Sequence, residues 1–219
     1  MKPTGRRVLG DGRMRKELVL GVLFFSGLWG LCEAVLGGAL YAANTPHASV
    51  VLTVCALVIL SFAAVYFPRK GMPTAIAGCA MLYKFLNEPF FACHLVGILL
   101  TGISYDLVFN VLKVKSKALA AAGTVYAGYA SFALLMTYII RYEHWAQVGA
   151  PKVISHVLVS GSIAALVCAL LVPLAYRIGS RLEKGHAMPF TPSWRPVPTG
   201  VSLAAAGLWV FSAAAYLLS

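Results

Sequence analysis

Seven long apolar runs constrain this chain more than any other feature, because the loops between them carry Lys and Arg on alternate sides. The runs occupy residues 18–43, 48–67, 71–87, 91–112, 118–140, 153–176 and 200–218. A helix needs about 20 predominantly apolar residues to cross about 30 Å of hydrocarbon. All but the run at 71–87 reach or approach that length; that one is short and interrupted by Lys84. Continuous apolar runs exclude an outer-membrane barrel, whose strands alternate and are about half as long. A lipid-exposed backbone must satisfy its own hydrogen bonds, so the runs are expected to be helices. The expected fold class is an all-α integral membrane protein: a six-helix bundle followed by a seventh, C-terminal transmembrane helix. Composition agrees, with 60% hydrophobic and 11% charged residues, against about 45–50% and about 25% in soluble domains.

The basic residues orient the runs. With the N-terminus inside, fifteen Lys and Arg fall on the cytoplasmic side: six before residue 17, Arg69 and Lys70, Lys113, Lys115 and Lys117, then Arg177, Arg181, Lys184 and Arg195. Only Arg141 and Lys152 fall outside. Such asymmetry follows the positive-inside rule. It holds only if 71–87 crosses, so the expectation is seven spans, N-terminus in and C-terminus out, in a bacterial-type inner membrane. The net charge of +11 would suggest nucleic acid in a soluble protein. Here it is explained by the bilayer, and no nucleic-acid partner is expected. The N-terminal apolar run is too long for a signal-peptide core and lacks a clean cleavage site.

Four segments result: a basic cytoplasmic stretch at 1–17, a six-helix membrane domain at 18–184, a linker at 185–199 and the seventh helix at 200–219. The linker, GHAMPFTPSWRPVPT, holds four prolines and reads as extended chain.

Ionisable residues within a bilayer cost about 2.5–3.5 kcal/mol each on insertion scales and are functional candidates by default. Glu33 and Lys84 fall in the outer halves of their runs, with Asn87 and Glu88 at the outer end. His94 and His156 begin the two inward-running helices. An outward-facing polar pocket formed by Glu33, Lys84, Asn87, Glu88, His94 and His156 is one reading, with Trp29 among the rings able to meet a substrate. The other is piecemeal: Glu33 pairs with Lys84 while the rest sit in wet headgroups. No histidine pair has metal-ligand spacing, so no metal site is expected; the cofactor is unknown.

Ser26, Gly30, Ala34, Gly38 and Ala42 recur every fourth residue. Such a small-residue stripe admits close approach by another helix, of this chain or of a partner. Asp106 and Asn110 share a helix face near the inner end. Asp106 either pairs with a nearby lysine or caps a loop, or else contacts a cytoplasmic partner or relays protons. The five cysteines all lie in apolar runs and read as small buried hydrophobes. No nucleotide-binding loop or nucleophile motif occurs, which excludes a self-powered ATPase.

Phe67-Pro68-Arg69-Lys70-Gly71, the small run Ala75-Ile76-Ala77-Gly78, Lys84, the turn Asn87-Glu88-Pro89 and a helix ending near Asp106 form one stretch. It resembles the substrate-binding (S) components of energy-coupling factor transporters. The resemblance implies six helices, a cytoplasmic N-terminus and a first helix whose small residues dock a membrane coupling subunit. It also implies capture of a vitamin or related small molecule near the outer face, with separate ATPases as the power source. The linker and seventh helix are additions to that pattern. The expected function is therefore a non-enzymatic substrate-capture subunit of a small-molecule transporter. The alternatives are a non-catalytic structural subunit of a larger membrane complex, and a small membrane enzyme or ion carrier using Glu33 or Asp106 for protons.

Overall fold

The structure is a computed structural model and describes residues 5–82, 92–184, 207, 209 and 210. Every regular element among the described residues is helical. The first rod is α1 (Gly5–Leu31), a π turn (Cys32–Leu36) and α2 (Gly37–Ala42). It begins inside the basic N-terminal stretch, earlier than hydropathy alone places it. A tight turn follows, in which Asn44 and His47 take left-handed backbone angles. Then come α3 (Ala48–Tyr66) and, beyond Pro68, the short α4 (Met72–Ala80). Gly71 begins α4 at φ 81°, a conformation glycine adopts without steric cost. The next rod joins α5 (Ala92–Tyr105) to a π turn (Asp106–Val111). Ser116 caps α6 (Lys117–Leu134), its hydroxyl accepting from the Leu119 amide at 3.4 Å. A π turn (Leu135–Ile139) extends α6, and the one-turn α7 (Glu143–Ala146) closes the loop. The last rod runs through α8 (Ala150–Ser155), a π turn (His156–Ser160) and α9 (Gly161–Lys184).

Five of these rods are long and apolar enough to cross a membrane: 16–42, 48–66, 93–111, 117–139 and 150–183. They are compatible with a multi-pass membrane protein. The run at 71–87 is represented by α4 and the turn after it; its remainder lies outside the described residues. The same holds for the linker and for most of the seventh run.

The helices close into a ring. α1 packs on α3 and α4, α4 on α5, α5 on α6, α6 on α9, and α9 back on α3. The core is built from small and branched side chains; Leu57, Leu60, Ile76, Ala77, Ala120, Ala164 and Val172 are fully buried. Hydrophobic attraction between helices is weak in lipid, so packing depends on close backbone approach. Gly102 shows this: a Cβ there would lie 2.3 Å from the Ala77 Cβ and 2.9 Å from the Pro73 carbonyl oxygen. Polar contacts add direction, with the Tyr105 and Tyr176 hydroxyls 2.8 Å apart. The outside is apolar. Leu119, Ile139, Leu166 and Leu170 are all at least two-thirds exposed, compatible with a surface that faces lipid.

The small-residue stripe divides. Ser26 and Gly30 are buried in the bundle, whereas Gly38 and Ala42 are exposed. On an α-helix of about 3.6 residues per turn a spacing of four drifts by about 40° per step, so a run of five such positions does not stay on one face. That drift carries the second half of the stripe from the bundle to the outside, with the π turn at Cys32–Leu36 lying between the two halves.

Asp106 is buried, 8% exposed, at the end of the bundle where the Lys113–Lys117 loop lies. One carboxylate oxygen accepts from the Gly71 amide at 3.0 Å and from the Asn110 side-chain amide at 2.7 Å. The other accepts from the Thr74 amide at 3.2 Å and the Thr74 hydroxyl at 2.6 Å. Two of the orphan amides that open α4 are thus satisfied by a side chain from another helix. Asp106 is a cap supplied across the helix interface, and the negative charge also suits the positive end of α4.

Candidate functional site

At the opposite end of the ring, α2, α3, α5, α6, α7 and α8 surround a cavity of about 480 Å³. This lies within the usual range of about 300–1,000 Å³ for small-molecule sites. Trp29 and Glu33 form its inner part. Glu33 precedes the end of α2 by nine residues, about 13 Å along the axis at about 1.5 Å per residue. It is 6% exposed and accepts the Trp29 indole N–H at 3.3 Å.

Aromatic pairs form the walls. On one side Tyr41 stacks on His94, with centroids 5.0 Å apart. On the other, Tyr129 stacks on His156 at 4.6 Å. Trp145 stands edge-on to both His156 and Phe132, at 5.0 Å and 5.2 Å. The Tyr129 hydroxyl is 3.3 Å from the Thr53 hydroxyl, which fixes the ring. Lys152 and His144 occupy the mouth, hydrogen-bonded to each other. The Lys152 ammonium lies 5.3 Å above the Trp145 ring, a cation–π distance.

Four residues singled out by the sequence, Trp29, Glu33, His94 and His156, line this one cavity. Lys84, Asn87 and Glu88 lie outside the described residues. Sequence reasoning missed the aromatic walls: Tyr41, Tyr129, Phe132 and Trp145. Only Trp145 carried a local signal, inside the mixed polar and aromatic loop Arg141-Tyr142-Glu143-His144-Trp145. Lys152 was visible as an outer-loop cation but not as a group at a cavity mouth. His47 does not line the cavity; its Nδ1 lies 2.8 Å from the Ser160 hydroxyl, tying the first turn to the π turn after α8.

Two π turns place these groups. Glu33 falls on Cys32–Leu36 and His156 opens His156–Ser160. A π turn widens the helix locally and redirects side chains, and it recurs at functional sites. Among the described residues, no three His, Cys, Asp or Glu side chains come together to hold a metal ion. The cavity offers a carboxylate inside, a cation at the mouth, imidazoles on both walls, and ring faces between. That arrangement suits an organic molecule with a flat apolar middle and polar ends. The chain matches no protein-family profile, no curated protein and no solved structure.

Proposed function

We propose that the chain is the substrate-capture subunit of a membrane transporter for a small molecule of vitamin or cofactor-precursor size. The observation that carries this reading is the cavity at one end of the helix ring, with Glu33 inside and Lys152 at the mouth. The bundle crosses a bacterial-type inner membrane seven times, N-terminus in and C-terminus out, so the cavity faces outward. This orientation is supported by the Lys and Arg asymmetry of the loops. The cavity captures its ligand without transforming it, and release inward depends on other membrane subunits powered by separate ATPases. The resemblance of residues 67–106 to S components supports that division of labour.

The exposed Gly38 and Ala42 favour contact with another membrane subunit. They do so equally if the chain is a structural subunit of a larger complex. Native mass spectrometry of the full chain, purified in mild detergent from its own membrane, separates the two. A small organic ligand retained by the wild type and lost in Glu33→Ala supports capture. An assembly with other subunits whose small-molecule content is unchanged by Glu33→Ala sinks it in favour of the structural role.

A further inference from the structure

A second cleft, of about 660 Å³, lies at the end of the bundle opposite the cavity, between the start of α6 and the last turns of α9. Lys117, Arg177 and Arg181 line it together with Ser116, Ser180 and Tyr176. No acid is among the described residues that line it. All three cations are exposed, and none is ion-paired among the described residues. Three like charges gathered on two helices favour an anion between them.

The cleft is also organised. The Lys117 ammonium lies 4.4 Å from the Tyr176 ring centroid and 5.3 Å from that of Phe109. Tyr176 is in turn stacked on Phe109 at 5.9 Å and bonded through its hydroxyl to Tyr105. The ring faces hold the lysine in place without neutralising it. Ser116 caps α6 by accepting from Leu119, which leaves the first-turn amides of Lys117 and Ala118 without carbonyls inside the helix. These amides and the helix dipole favour negative charge at the same spot.

The surroundings indicate what presents the anion. Leu119 on α6 and Leu170 and Leu174 on α9 are 69%, 70% and 49% exposed beside the cleft. Lys117 and Arg177 sit where apolar span meets basic loop. Basic pockets between transmembrane helices at this depth hold lipid headgroups.

We infer that the cleft between Lys117, Arg177 and Arg181 binds a phosphate group, presented by an anionic phospholipid whose chains lie over Leu119, Leu170 and Leu174. Guanidinium groups suit phosphate because they offer paired donors in a plane. The inference does not depend on what the outer cavity holds.

Native mass spectrometry of the full chain in neutral detergent tests it, with phosphatidylglycerol and phosphatidylcholine of equal chain length added in turn. Wild type is expected to retain phosphatidylglycerol preferentially. Replacing Lys117, Arg177 and Arg181 together by Gln should cut that retention on the order of a hundredfold, roughly fivefold per charge. The same replacement at Lys70, Lys113 and Lys115, at the same end of the bundle but outside the cleft, should cost far less. Ser180→Trp keeps every charge and fills the cleft, and should also cut retention at least tenfold, about what loss of one charged hydrogen bond costs. Millimolar inorganic phosphate distinguishes the sources. Retention that resists it assigns the site to lipid; displacement by it assigns the site to a free phosphate. Equal retention of the two lipids, equal loss in the two triple variants, or no effect of Ser180→Trp would overturn the inference.

Discussion

Among the described residues Glu33 and Asp106 are the two buried carboxylates, at opposite ends of the ring, 6% and 8% exposed, and each falls on a π turn. They differ in what surrounds them. Asp106 is met by four donors of its own chain, three of them from the start of α4. Glu33 accepts the Trp29 indole and borders a cavity large enough for an organic molecule. An acid in an apolar helix signals a special position, but only tertiary structure tells what surrounds it. Both carboxylates are held by their own chain, and Glu33 in addition borders a cavity.

Removing the structural carboxylate should have the largest effect. Asp106→Ala leaves the Gly71 and Thr74 amides and the Asn110 side chain without their acceptor. Hydrogen bonds to a charged group contribute about 1.5–3 kcal/mol each, so the net loss should be about 3 kcal/mol or more. Thermal unfolding in detergent should show a midpoint lower by roughly 6–12 °C for a chain of this size. Asp106→Asn should recover part of this, because one oxygen still accepts. A midpoint unchanged in Asp106→Ala would erase the distinction between the two ends.

Glu33→Gln should behave oppositely. The side chain keeps its size and an oxygen to accept from Trp29, so the unfolding midpoint should move by no more than about 2–4 °C. Retention of the captured ligand should instead fall about tenfold or more, the cost of losing a charged hydrogen bond. Unfolding as severe as that of Asp106→Ala, with ligand retention intact in whatever folds, would make Glu33 a second structural carboxylate. Lys152→Met tests the mouth on the same logic. Lys152 is half-buried at the mouth, so the expected change is chiefly in ligand association and its salt dependence, with only a small shift in the midpoint.

The close helix contact beside Asp106 allows an intermediate test. Gly102→Ala places a methyl 2.3 Å from the Ala77 Cβ and 2.9 Å from the Pro73 carbonyl oxygen. Overpacking of this kind costs typically about 1–3 kcal/mol. Circular dichroism melts should show a lower midpoint, and the α4–α5 contact should give way before the aromatic walls of the cavity do.

Much of the fold was legible in the sequence, and the reason is physical. Hydrocarbon thickness sets helix length, so the runs at 48–67, 91–112 and 118–140 match α3, the α5 rod and the α6 rod within a residue at most ends. The alternation of basic loops places Lys113–Lys117 and Arg69–Lys70 at the end away from the cavity, as the α4–Asp106 contacts require. The π turns were not legible, because hydropathy has no signal for one extra residue per turn. The spacing of Ser26 to Ala42 reads as one stripe in sequence and splits into two faces in space, because a repeat of four drifts around a helix of about 3.6 residues per turn. For the cavity, charge within apolar runs exposed Glu33, and the positions of His94 and His156 at helix starts exposed the imidazoles. Tyr129 and Phe132 were invisible, since aromatic residues in a membrane helix look the same whether they face lipid, core or ligand. Their role depends on which helix lies opposite, here α8 and α7, and a single sequence does not say so.

The split stripe provides the smallest expected effect on stability and a sharp test of function. Nothing lies within 4 Å of a Cβ built on Gly38, and its backbone is ordinary right-handed helix, unlike the crowded Gly102 end. Gly38→Ala should therefore leave stability unchanged or raise it by up to about 1 kcal/mol, the helix-propensity difference between the two residues. Gly38→Leu should also fold, because the added side chain extends outward from the ring. If that face meets a second membrane subunit through close backbone approach, the leucine holds the two helices apart. Co-purification of the partner should then fall in Gly38→Leu while ligand retention by the isolated chain stays at the wild-type level. Unchanged co-purification would mean that the outward half of the stripe faces only lipid. Lost ligand retention would mean that α2 shapes the cavity as well as its rim, and that the two halves of the first rod cannot be assigned separate roles.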